Sequence, residues 1–208
     1  SSTPFYFEED RAAADQVRRV AREAHVPILL GSDQIEHGAP NRYYNSAFLV
    51  APDGSSAGVY RKMHLVPFGE YVPLKQVFFF AAPLVEAVSD FSPGESAVLL
   101  PVKGHLVSTA ICYEIVYPAL VRQFTRAGSE LLSTITNDAW FGDTSAPYQH
   151  FALASMRVSP VIACSASGHG LLAPSASIAL SLAPASLLPK IEHSYSGPVK
   201  PDARHSAR

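Results

Sequence analysis

The chain has 208 residues, 48% of them hydrophobic and 16% charged, a balance that suits one globular core and one domain. A formal net charge of -2 speaks against nucleic acid as a partner, because no basic excess is present to displace counterions from a phosphate backbone. Two cysteines, Cys112 and Cys164, make no disulfide framework, and the eight scattered histidines show no metal-ligand spacing, so neither a metal nor another cofactor is expected.

Chain order yields a run of alternating elements. From Asp10 to Ala24 the apolar positions Ala13, Val17, Val20, Ala21 and Ala24 keep helical spacing, and Pro27 marks the exit. Ile28 to Gly31 reads as a buried strand ending in a glycine turn. Tyr44 to Ala51 and Gly58 to Tyr60 read as strands joined at Pro52-Asp53-Gly54. Residues 61 to 75 hold Pro67, Gly69 and Pro73 and cannot be regular. The greasy run Val77 to Val85, with Phe78-Phe79-Phe80, is broken by Pro83 and falls short of the roughly 18 apolar residues that span a bilayer.

Val98 to Pro101 and His105 to Ile111 read as strands around the Lys103-Gly104 turn, and Pro118 to Ala127 as a helix closed by Gly128. Leu131 to Thr136 is another buried strand, followed by a helix over 147–157 with Phe151, Ala154 and Ser155 on one side. Helices between buried strands give an α/β fold, and the hairpin turns make its sheets mixed. After Arg157 the composition turns to Ser, Ala, Leu and Pro, so the reading is a domain over 1–157 and a low-complexity or disordered tail, or a shifted reading frame, over 158–208.

Three blocks carry chemistry. The strand ending at Ile111 delivers Cys112 into the run Cys112-Tyr113-Glu114. A thiol nucleophile needs a base to become a thiolate and a cation for the oxyanion that its attack creates. Lys62 and Glu70 come from the loop Lys62-Met63-His64-Leu65-Val66-Pro67-Phe68-Gly69-Glu70-Tyr71-Val72-Pro73, rigid and aromatic enough to hold a carboxylate in place. The third block, Asn137-Asp138-Ala139-Trp140-Phe141-Gly142-Asp143, follows a buried strand, where α/β proteins keep their ligands. Trp140 and Phe141 would form one wall of an acyl or amide pocket, against a plain reading of an Asn-Asp turn with Trp140 covering the core. Tyr113 and Glu114 either line that pocket or orient the elbow.

These blocks resemble the nitrilase, or carbon-nitrogen hydrolase, superfamily, and their wording is similar within it to the apolipoprotein N-acyltransferase family of the bacterial cell envelope. The resemblance covers residues 1–157. It implies an αββα sandwich, truncated at the front and aberrant at the back, in which Cys112 is the nucleophile and Lys62 the oxyanion-stabilising cation. Glu70 would be the additional carboxylate of the Lys loop, with Tyr113, Glu114, Trp140 and Phe141 around the substrate. The family's general-base Glu would precede Ser1. The implied reaction passes an acyl chain from a phospholipid donor to the diacylglyceryl-cysteine of an apolipoprotein acceptor. It would take place on the periplasmic side of the inner membrane, with anchoring by segments outside this sequence. The alternatives are a soluble amidase acting on a small amide, which has no need for Phe78-Phe79-Phe80, and an inactive fragment.

Overall fold

A computed structural model describes residues 3–73, 90–137, 144–166 and 179–180, with 158–166 and 179–180 described as backbone only. Helix α1 (Arg11–Ala24) starts where Asp10 accepts the Ala13 N–H, and it stops at His25, whose left-handed backbone turns the chain. Strands β1 (Ile28–Glu36), β2 (Arg42–Val50) and β3 (Ser56–Arg61) form an antiparallel sheet in that order. The second sheet is mixed. Its β4 (Leu100–Val102) runs antiparallel to β5 (His105–Ile111), and β5 is parallel to β6 (Leu131–Ile135). A short β7 (Ala179–Leu180) lies parallel to β6.

Alternation along β2 and β3 sends side chains to two cores. Phe48 and Val50 meet Phe7, Ala14 and Ala21 beneath α1, where the rings of Phe7 and Phe48 lie 5.2 Å apart. Ala47 and Tyr60 face the other way, onto Ile111 of β5 and onto Leu120 and Phe124 of α2 (Pro118–Arg126). The opposite side of β5 offers Ala110 to Ile115, Val121 and Ala154, the last from α3 (Ala146–Ala166). The layers are therefore helix, sheet, sheet, helix, with α2 reaching the cores on both sides of β5. Each fully buried Phe or Leu in these cores stabilises the fold by about 1.5–3 kcal/mol.

One expectation is corrected. Gly31 does not end its strand: it pairs with Ala47, and the ladder continues to Glu36 opposite Arg42. The polar run after it is buried with partners, Ser32 Oγ donating to Phe5 O and Gln34 taking Glu8 and Arg61, so polarity there marks satisfied burial instead of a turn. Helix α3 buries His150 and Ala154, while Phe151 is 50% exposed and Ser155 is exposed. Its inward face carries polar groups, which an apolar periodicity cannot detect. The helix runs from Ala146 to Ala166. Apart from the helical backbone of 158–166 and β7, the expected tail lies outside the described residues, as do Phe78-Phe79-Phe80.

Candidate active site

Lys62 follows the last residue of β3, and its backbone is held on both sides. Its N–H donates to Asn45 O at 2.8 Å, and its carbonyl accepts the Gly94 N–H at 2.7 Å. Gly94 fits because it has no side chain: a Cβ there would collide with Arg61 O. The side chain of Lys62 is 1% exposed, and its Nζ meets Glu70 Oε2 at 2.7 Å. An ammonium so deep needs that partner, since an unpaired buried charge is costly.

Glu70 is placed by a tight turn. Phe68, with φ 60°, reverses the chain, while Phe68 N–H donates to Tyr71 O and Glu70 N–H to Val66 O. The carboxylate then takes Val66 N–H on Oε2 at 2.8 Å and Asn45 Nδ2 on Oε1 at 2.7 Å. Asn45 thus supports Lys62 through the backbone and Glu70 through the side chain. Its own Oδ1 is buried and has no hydrogen-bond partner.

At the end of β5, Cys112 has φ 53°, the left-handed region, at a cost of about 1–2 kcal/mol for a residue with a Cβ. The chain then turns as a 3-10 helix, Cys112–Val116. Glu114 in that turn is fully buried. Its Oε2 accepts Ile111 N–H at 2.8 Å, and its Oε1 accepts Met63 N–H at 2.8 Å and His64 N–H at 3.0 Å. The Tyr60 hydroxyl reaches both oxygens, at 2.9 and 3.0 Å. One carboxyl therefore joins the residue before Cys112 to the two residues after Lys62. That tie connects the thiol, on one sheet, to the ammonium, on a loop from the other.

Burial pushes the Glu114 carboxyl above its ordinary range, and the donors from Ile111, His64, Tyr60 and Met63 pull it back only in part. Burial first, and then the neighbouring carboxyl, push the Tyr60 phenol far up, so it remains a donor. Tyr113, next to Cys112 in the chain, is 42% exposed and edges against Tyr117, whose ring lies tilted against His64 with centroids 3.8 Å apart. Trp140 and Phe141 lie outside the described residues.

Sequence reasoning misses a third side of the elbow. His150 Nε2 lies 3.1 Å from Cys112 O, and Arg157 donates to Ile115 O from Nε and to Val116 O from Nη2. The i, i+7 spacing of His150 and Arg157 is the signal that was available for it. Among the described residues no group of three His, Cys, Asp or Glu could hold a metal ion.

The carbon-nitrogen hydrolase family model matches residues 2–159. The chain belongs to the carbon-nitrogen hydrolase family. Relatives of the chain include the apolipoprotein N-acyltransferase of Geobacter metallireducens, 43% identical over 158 residues, which are 76% of this chain and 30% of the relative. The apolipoprotein N-acyltransferase of Azotobacter vinelandii is 44% identical over 147 residues, 67% of this chain and 27% of the relative. The chain thus spans about 30% of the length of the curated relatives it matches.

Among solved structures, an amidase from Nesterenkonia sp. AN1 is similar at TM-score 0.52 and 23% identity, over 76% of this chain and 53% of that one. A carbon-nitrogen hydrolase from Helicobacter pylori G27 is similar at TM-score 0.52 and 20% identity, over 76% of this chain and 52% of that one. At these identities the structures bear on the fold alone, and they agree with the αββα layering.

Proposed function

We propose that this carbon-nitrogen hydrolase domain carries out acyl transfer through a thioester on Cys112, with a phospholipid as donor and an apolipoprotein diacylglyceryl-cysteine as acceptor. The observation that carries the reading is the tie made by Glu114, which fixes the Cys112 elbow to the loop of the Lys62–Glu70 ion pair. In the first step Cys112 Sγ attacks the ester carbonyl carbon, and Lys62 faces the negative charge that builds on the oxygen. The carbon–oxygen bond breaks, and the lysophospholipid leaves with the proton. In the second step the acceptor amine attacks the thioester carbon, the carbon–sulfur bond breaks, and the thiol is restored.

Glu70 keeps Lys62 in position and Glu114 keeps the elbow in position, so the oxygens of both are engaged with donors. That engagement supports a general base other than Glu70 and Glu114. The names of the relatives support acyl transfer to an apolipoprotein, and exposed aromatic side chains at Phe68, two residues from Glu70, and Tyr113, next to Cys112 in the chain, suit a lipid donor. Among the described residues no helix is long and apolar enough to cross a membrane. A membrane-bound donor and acceptor place the reaction at a membrane surface, and the periplasmic face of the bacterial inner membrane is the proposed location.

The test uses phospholipid vesicles with a radiolabelled acyl chain and a peptide that begins with diacylglyceryl-cysteine. A hydroxylamine-sensitive label on Cys112, then label on the peptide amine, is the expected sequence. Release of ammonia from small amides without transfer would move the assignment to an amidase. Label that still reaches the peptide when Cys112→Ala replaces the thiol would refute the thioester.

A further inference from the structure

We propose that His150 is a positioning residue of the nucleophile elbow, one that aims the peptide group after Cys112 at the oxyanion of the acylation step. The inference rests on the reading of Cys112 as the nucleophile. It begins with the inward face of α3, where His150 is 6% exposed and Phe151 and Met156 on the other side are solvent-facing. A polar ring on a buried helix face must be hydrogen-bonded to be tolerated. His150 and Arg157 both spend donors on carbonyls of the elbow: Cys112 for His150, Ile115 and Val116 for Arg157. A carbonyl only accepts, so Nε2 carries its hydrogen toward Cys112 O.

That bond falls at the strained point of the chain. The left-handed backbone of Cys112 persists only if its surroundings over-determine it. Glu114 fixes the amide ahead of it, at Ile111, and His150 fixes the carbonyl behind it. The Cys112–Tyr113 peptide is planar and trans, so its N–H points opposite to its C=O. Holding the carbonyl against α3 therefore turns the Tyr113 N–H away from α3. A backbone N–H next to the nucleophile is a group that receives an acyl oxyanion in hydrolases built on such an elbow. Without the His150 bond the peptide plane is free to rotate, and the N–H loses its aim while the thiol remains.

Two reactions of the same thiol separate this role from support of the fold. Acylation by p-nitrophenyl butyrate forms an Sγ–carbon bond, breaks the bond to p-nitrophenolate, passes the thiol proton to solvent, and builds an oxyanion on the way. Alkylation by iodoacetamide displaces iodide and builds none. Both are followed on the full chain by single-turnover kinetics, with peptide mass spectra to separate Cys112 from Cys164. His150→Leu is expected to slow acylation of Cys112 by about 10–100-fold, below the roughly 10²–10³ seen when an oxyanion donor is deleted outright. Alkylation is expected to stay within about twofold.

Should His150→Leu fail to fold, the amide pair His150→Gln and His150→Asn carries the test. Gln places an N–H near the reach of Nε2 and restores acylation, whereas the shorter Asn does not. Equal loss in both reactions, equal rates for Gln and Asn, or an unchanged acylation rate in folded His150→Leu would overturn the proposal. An ester label that fails to reach Cys112 in the unaltered chain would instead overturn the assignment of the nucleophile.

Discussion

Replacing Glu114 with Gln tests whether one buried carboxyl holds the two halves of the site together. The Gln carbonyl can keep the Met63 and His64 N–H groups, but its amide NH₂ then faces the Ile111 N–H, a donor against a donor. Leaving one buried donor unmet and weakening the others costs about 2–4 kcal/mol. Against a total stability of about 5–15 kcal/mol, that moves a urea midpoint by about 1–2 M. Glu114→Ala strips the acceptor from three backbone N–H groups and from Tyr60, and is expected not to fold. The gap between Glu and Gln also depends on pH. Burial raises the Glu114 pKa in the folded state, so the folded chain holds that proton more tightly than the unfolded one. The contribution is therefore fully present below about pH 4, the range of an unfolded Glu, and is lost as pH rises through the folded value. Urea curves of both proteins between pH 4 and 8 should show the advantage of Glu narrowing as pH rises. Most other titrating groups cancel in that difference. A gap that widens with pH would mean that the donors outweigh burial, and no gap at any pH would mean that Glu114 bridges nothing of consequence.

Further outcomes follow from the same geometry. Glu70→Gln leaves the Lys62 ammonium buried without its counter-charge and should cost about 3–5 kcal/mol, while Lys62→Met with Glu70→Gln should recover much of that in a double-mutant cycle followed by thermal melting. Additive losses would show that the pair does not act as one. Gly94→Ala drives a methyl against Arg61 O and should destabilise by about 1–3 kcal/mol in calorimetry; an unchanged melt would mean that the loop moves aside freely. At position 112, Gly should be about 1 kcal/mol more stable than Ala, because Gly accepts the left-handed backbone without the Cβ penalty. Equal stability of the two variants would argue against a strained elbow.

Local structure was the legible part of this chain. The helix over 11–24, the hairpin across Asp53-Gly54 and the strand His105–Ile111 follow from spacing and turn residues that act over a few positions. The Lys loop is legible too, because Pro67, Phe68 and Gly69 announce an irregular, rigid segment. Illegible were the places where a polar residue is buried with a partner distant in sequence. Ser32 and Gln34 look like a turn until Phe5, Glu8 and Arg61 are seen beside them. Glu114 reads equally as pocket or support, since its partners at Tyr60, Met63 and His64 come from another sheet and loop. His150 and Arg157 look like surface residues of a helix whose apolar positions point elsewhere. Gly94, in Ser92-Pro93-Gly94, looks like any turn glycine, and only the Arg61 backbone pressed against it shows why a side chain is excluded.

The seam between the sheets has a mechanical consequence. The thiol hangs from β5 and the ammonium from the end of β3, like the tips of two jaws, and Glu114 is a rivet through the hinge. Prising the jaws apart breaks bonds to Met63, His64 and Tyr60 together and bares the Tyr60 ring in the same stroke. A half-open form that still bites is therefore not available to the molecule. Pressure, cold or a detergent that wedges between the sheets should silence Cys112 at the same midpoint at which Tyr60 becomes reactive toward solvent-borne iodination.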